Sequence, residues 1–76
     1  MNATRLRNRL KEARAELGLT QTELALRIGV SRKTINTVEN EVFTPSTTLA
    51  LKLAASLGRT VETLFYLEDG ALDPHL

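Results

Sequence analysis

The 76-residue chain contains no cysteine and a single histidine, His75, near its end. Those absences exclude a disulfide framework and a thiolate metal site, and leave too few ligands for structural zinc. No metal and no cofactor are expected. There is no secretory h-region and no apolar run long enough to span a bilayer, so a membrane is not an expected partner and a cytoplasmic location is the default. No nucleophile–base set, Gly-rich phosphate loop or pair of carboxylates in a pocket can be assembled, which argues against an enzyme. Internal repeats, linkers and low-complexity segments are also missing. What remains, 42% hydrophobic and 25% charged residues, is ordinary for a globular chain. Its length makes one domain near the lower limit for independent folding, where a partner subunit would help.

The net charge is only +1, but it is unevenly placed. Through Asn40 there are eight cations (Arg5, Arg7, Arg9, Lys11, Arg14, Arg27, Arg32 and Lys33) against four Glu, or +4. From Glu41 onward Lys52 and Arg59 face five acids, or −3. Either this is chance clustering on a solvated surface, or the N-terminal half is presented to phosphates and the acidic half kept away.

The segment Gln21 to Asn40, QTELALRIGVSRKTINTVEN, bears on that choice. Thr20 is a suitable N-cap, with Glu23 three residues on to complete a capping box. Leu24, Ala25 and Ile28 give one apolar face, and Gly29 follows as a left-handed C-cap. Ser31 caps a second helix whose Ile35 and Val38 point inward. Ala25 falls where the two helices cross, and its small side chain lets their axes approach. Arg32, Lys33, Asn36 and Thr37 are left facing out, a set suited to the edges of bases. Arg32 can pair bidentately with guanine, and Asn36 with adenine. A solvated helix start is the plainer reading of Arg32 and Lys33, but positive charge there opposes the helix dipole. The pattern is that of a helix-turn-helix, and it lies in the basic half.

Around it, Leu6, Leu10, Ala13 and Leu17 predict a first helix with one apolar stripe, preceded by a frayed Met1 to Thr4 and ended by Gly18. Leu19 is expected under the second helix. Pro45 disfavours helix at Thr44, and Ser46 restarts it as an N-cap. Leu49, Ala50, Leu53, Ala54 and Leu57 form the inner face of that fourth helix, closed by Gly58. Thr60 caps a short fifth helix with Val61, Leu64 and Phe65 inward. The expected fold class is all-α, with five helices and the helix-turn-helix at helices two and three. Residues 1–67 form the domain, and 68–76 an acidic tail expected to be flexible.

From about Asn8 to Leu67 the chain resembles the lambda-repressor and Cro-like (XRE) family of helix-turn-helix regulators. Leu-Thr-Gln, Glu-Leu-Ala, Gly-Val-Ser and Glu-Asn stand at the family's spacing. The stretch VFTPSTTLALKLAASLGRTVETLF resembles a compact subgroup with a Pro-Ser start to helix four and a final Leu-Phe. The resemblance implies a lambda-repressor-like DNA-binding fold and double-stranded DNA as partner. It also implies base reading by Arg32, Lys33, Asn36 and Thr37, and backbone contacts from Gln21, Ser31, Thr34, Asn40 and Arg9. Arg14 and Glu39 occupy the positions of a family ion pair tying helix one to the end of helix three. Two departures stand out. Glu41 replaces the Gly that usually follows Glu-Asn, so that either the helix runs on or Asn40 takes the left-handed position, with an acid near the phosphate path. Thr47 and Thr48 replace the subgroup's Leu-Glu.

Phe65, Tyr66 and Leu67 read either as core closure or as a dimer contact. One such domain covers too little DNA for a tight, specific complex, so a homodimer is expected, with Val61, Phe65, Tyr66 and Leu67 as its seam. The expected function is a sequence-specific transcriptional regulator acting as a repressor, with helix three in the major groove. The alternative is a protein-interaction module, such as an antitoxin or accessory subunit with secondary DNA binding, and a protein partner stays open. With no sensor domain, no small-molecule ligand is expected.

Overall fold

The spacing of Leu6 and Leu10 predicts that the first helix already includes residue 6, yet the chain there is a strand. The computed structural model describes residues 5–68. In it β1 (Leu6–Asn8) runs antiparallel to β2 (Phe65–Leu67), with Leu6 opposite Leu67, Arg7 opposite Tyr66 and Asn8 opposite Phe65. Bonds from Arg9 N to Leu64 O (2.8 Å) and from Glu68 N to Arg5 O (2.9 Å) continue the ladder at both ends. Asn8 stops the helix from extending backwards. Its Oδ1 accepts from Leu10 N at 3.1 Å while its Nδ2 donates to Val38 O at 2.9 Å. Leu6 stays apolar and packs against the core in either geometry, so the sequence stripe could not separate them.

The remaining elements follow the expected order: α1 (Leu10–Glu16), α2 (Gln21–Ile28), α3 (Arg32–Glu39), α4 (Thr47–Leu57) and α5 (Val61–Leu64). The five expected helices are all present, and the all-α expectation is corrected only by the small sheet. Phe65 belongs to β2 rather than to helix five, though it is buried as expected. Each helix contributes at least one fully buried side chain to a shared centre: Leu10, Leu24, Ile35, Leu53 and Leu64 are all 0% exposed. Burial of each stabilises the fold by about 1.5–3 kcal/mol. Leu17 does not join them. α1 stops at Glu16, Leu17 lies in the turn and is half exposed, and Leu19 takes the buried place.

The caps fall where the side chains call for them. Thr20 accepts from Glu23 N within a full capping box, Ser31 from Thr34 N, Ser46 from Leu49 N and Thr60 from Thr63 N. Thr47 and Thr48 open α4 without disturbing it. No helix among the described residues is long and apolar enough to cross a membrane. The frayed start expected over Met1 to Thr4, and the expected tail beyond Glu68, lie outside the described residues.

Candidate nucleic-acid interface

The geometry of α2 and α3 is set at the turn between them. Gly29 sits at φ +74°, and Val30 N donates back to Ala25 O at 3.0 Å. Ala25 is 3% exposed where the helices cross. The Ser31 cap then starts α3 at once, and Ile35 and Val38 fix which side faces the core. At 100° per residue, Lys33, Asn36, Thr37 and Asn40 fall on the opposite side. Arg32 and Lys33 are exposed, and neither has a salt-bridge partner among the described residues. Two unpaired cations at a helix N-terminus oppose its dipole by about 0.3–1 kcal/mol each. Stability alone does not favour them there.

The polar residues of this face are linked to each other. Asn36 Oδ1 accepts from Asn40 Nδ2 at 2.7 Å and, more distantly, from Gln21 Nε2 at 3.5 Å. The same Gln21 nitrogen donates to Glu39 Oε1 at 3.1 Å. Gln21 is thus turned onto α3, and a contact to phosphate requires its amide to swing outward. Asn36 has its carbonyl oxygen engaged and its amide nitrogen available, so bidentate pairing with adenine requires release of Asn40. Ser31 Oγ lies 3.0 Å from Thr34 Oγ1, and Thr37 Oγ1 donates to Thr34 O at 3.0 Å. Thr37 therefore offers its methyl and an acceptor, not a free donor.

Beneath this face α3 is anchored to α1. Arg14 Nε and Nη2 reach Glu39 Oε2 and Oε1 at 2.7 and 3.2 Å, and Arg14 Nη1 donates to Leu19 O at 2.7 Å. The side chains are 14% and 3% exposed. This fork holds the angle between the helices.

Neither arrangement expected for Glu41 is found. Asn40 is not left-handed (φ −86°), and the helix does not run on; Glu41 itself adopts φ +62°. Glu41 N donates to Val38 O at 3.0 Å and Val42 N to Thr37 O at 2.9 Å, the two bonds of a Schellman motif. A side chain in that slot costs about 1–2 kcal/mol relative to Gly. The Glu41 carboxylate is paired. It accepts from Arg5 Nη2 at 3.1 Å and Arg7 Nε at 2.8 Å, and Arg7 Nη1 also reaches Glu68 at 3.1 Å. Its bond to Arg7 holds the Glu41 carboxyl below the usual carboxylate range. Sequence reasoning missed this cluster. The available signal was the period-two run Arg5-Leu6-Arg7-Asn8, which alternates as a strand does.

Arg9 and the residues expected at a seam are distributed by the same alternation. Arg9 lies with its guanidinium carbon 4.1 Å from the Tyr66 ring centroid, a cation–π contact on the outer face of the sheet. Tyr66 thus parts company with Phe65 and Leu67, whose sheet face also carries Leu6 and Asn8. On that side Leu6, Pro45, Ala50, Leu51, Val61 and Phe65 line an open, mostly apolar groove of about 410 Å³, to which Thr47 and Glu62 add polar groups. Leu51 and Leu67 stand exposed at 56% and 39%.

Comparison with known proteins agrees with this geometry. The family model described as Helix-turn-helix matches residues 10–64. A protein of Methanothermobacter thermautotrophicus, described as an uncharacterized HTH-type transcriptional regulator, is 50% identical over 68 residues, covering 87% of this chain and 99% of that one. One of the same description from Archaeoglobus fulgidus is 42% identical over 67 residues, covering 88% and 96%. Among solved structures, a Bacteroides fragilis protein superposes with a TM-score of 0.74 at 30% identity, covering 80% of this chain and 98% of its own. The hypothetical transcription factor NHTF from Neisseria gives 0.68 at 27% identity, covering 87% and 69%.

Proposed function

The chain belongs to the helix-turn-helix family, and from that premise we propose that it is a transcriptional regulator that recognises specific sequences in double-stranded DNA. α3 enters the major groove with Arg32, Lys33, Asn36 and Thr37 toward the bases. Ser31, Thr34 and Asn40 meet the backbone, and Gln21 joins them when its amide swings outward. No enzymatic step forms part of this reading. The observation that carries it is the pair Arg32 and Lys33, without salt-bridge partners among the described residues and dipole-opposed at the start of a helix whose outer face is wholly polar. Such a local conflict is what a functional surface produces.

The regulator acts as a homodimer, and as a repressor that occludes its site. Support for the dimer comes from the mostly apolar groove beside Val61 and Phe65, lined by the exposed Leu51, and from the exposed Leu67, which pairs with the groove residue Leu6. Tyr66 leaves the proposed seam, since it stacks under Arg9 on the opposite sheet face. Arg9 in turn reaches phosphate only from that outer face.

The test is selection of bound duplexes from a randomised pool. A dimer of this kind enriches two inverted half-sites about 34 Å apart, one helical turn. Enrichment of a lone half-site removes the dimer, and no enrichment removes sequence recognition.

A further inference from the structure

Glu41 occupies a place where glycine would sit without strain, beside a helix end that the proposed function brings close to phosphates. It is the one non-glycine residue at positive φ among the described residues. Both of its carboxylate oxygens are used, one by Arg5 and one by Arg7, and its side chain is only 14% exposed. The two arginines are not equivalent. Arg7 lies between two carboxylates, Glu41 and Glu68. Arg5 makes a single bond to Glu41, is 59% exposed, and keeps its other guanidinium donors without partners among the described residues.

We infer that Glu41 is a positioning residue: it clamps β1 to the end of α3 and thereby presents Arg5 to the DNA backbone beside Asn40. The inference rests on the DNA-binding reading above. The argument has three parts. The acid is neutralised, because Arg5 and Arg7 balance Glu41 and Glu68. The clamp is local to the groove-facing helix, because Glu41 follows Asn40 directly and Asn8 of β1 donates to Val38 O. The open donors belong to Arg5, a fork matched to phosphate oxygens. Without this clamp Arg5, just before β1, keeps only the backbone bond from Glu68 N to its carbonyl among the described residues, and nothing holds its guanidinium.

The test compares the wild type with Glu41→Gly, Arg5→Ala and the double variant in DNA affinity across a salt series. Glu41→Gly removes a negative charge and suits φ +62°, so simple repulsion by Glu41 predicts tighter binding and a steeper salt slope. The positioning role predicts the opposite sign. Arg5→Ala and Glu41→Gly should each flatten the log–log slope by about 0.9, the value of one phosphate contact. That corresponds to roughly eightfold weaker binding at 0.1 M salt. The double variant should lose no more than either single one, and thermal melts should show all three folded. Tighter binding by Glu41→Gly, or an unchanged slope in either single variant, overturns the inference while the DNA reading stands. A wild type with a flat salt slope overturns the DNA reading itself, and this inference with it.

Discussion

Replacing Arg14 by Ala should destabilise the domain by about 3 kcal/mol. Glu39 is 3% exposed and accepts from two Arg14 nitrogens and from Gln21. Removing one partner of a buried pair costs about 3–5 kcal/mol, because the other charge is left without compensation. The Gln21 bond at 3.1 Å survives, which places the cost at the lower end. A chain of this size holds roughly 4–11 kcal/mol in all, at about 0.05–0.15 per residue. The variant therefore forfeits a quarter or more of its stability, and its melting temperature should fall by about 12–24 °C. Urea unfolding followed by circular dichroism at 222 nm measures this directly. The double replacement Arg14→Met with Glu39→Leu should recover most of the loss, though not all, since the Leu19 carbonyl loses its 2.7 Å donor. A cost below about 1 kcal/mol for Arg14→Ala would falsify the reasoning, because it is the value of a solvent-screened surface pair.

Three further outcomes are expected. Gly29→Ala meets no neighbouring atom but must hold φ +74°, so urea denaturation should show a loss of about 1–2 kcal/mol from backbone strain alone. Leu51→Glu places a charge at the apolar groove; light scattering at micromolar concentration should report half the wild-type mass, and an unchanged mass would move the seam elsewhere. Glu23 is held below its usual 4.5 by its backbone bond to Thr20, and Glu41 by its bond to Arg7. A lowered folded value contributes stability above the unfolded one, so the urea midpoint should fall as pH drops below about 4.5, and less steeply in Glu41→Gly.

Much of the fold was legible because its signals are local. Thr20 with Glu23, Ser31, Ser46 and Thr60 each cap a helix within three residues, and the inner faces of α2, α3 and α4 follow the 3.6-residue period. The partners that local reading could not supply lie far along the chain. β1 finds its ladder in β2, nearly 60 residues away, so a helical stripe through Leu6 and Leu10 was equally consistent with the sequence. The same distance hid Glu41, whose conformation is held by arginines 36 and 34 residues earlier. At the site, residue types pointed to an outward polar face, but not to how its amides are engaged. Gln21 turns onto α3 because Glu39, pulled in by Arg14, offers a buried acceptor. Tyr66 separates from its neighbours because alternation along a strand sends it to the other face.

The central claim, that α3 reads specific DNA sequence, is tested most directly by fluorescence anisotropy on the duplex just upstream of the gene. Random duplex serves as competitor, across a salt series. The account predicts a preference of about a thousandfold or more, with affinity falling steeply as salt rises. Weak binding that does not distinguish the two duplexes would contradict it, and would turn attention to a protein partner.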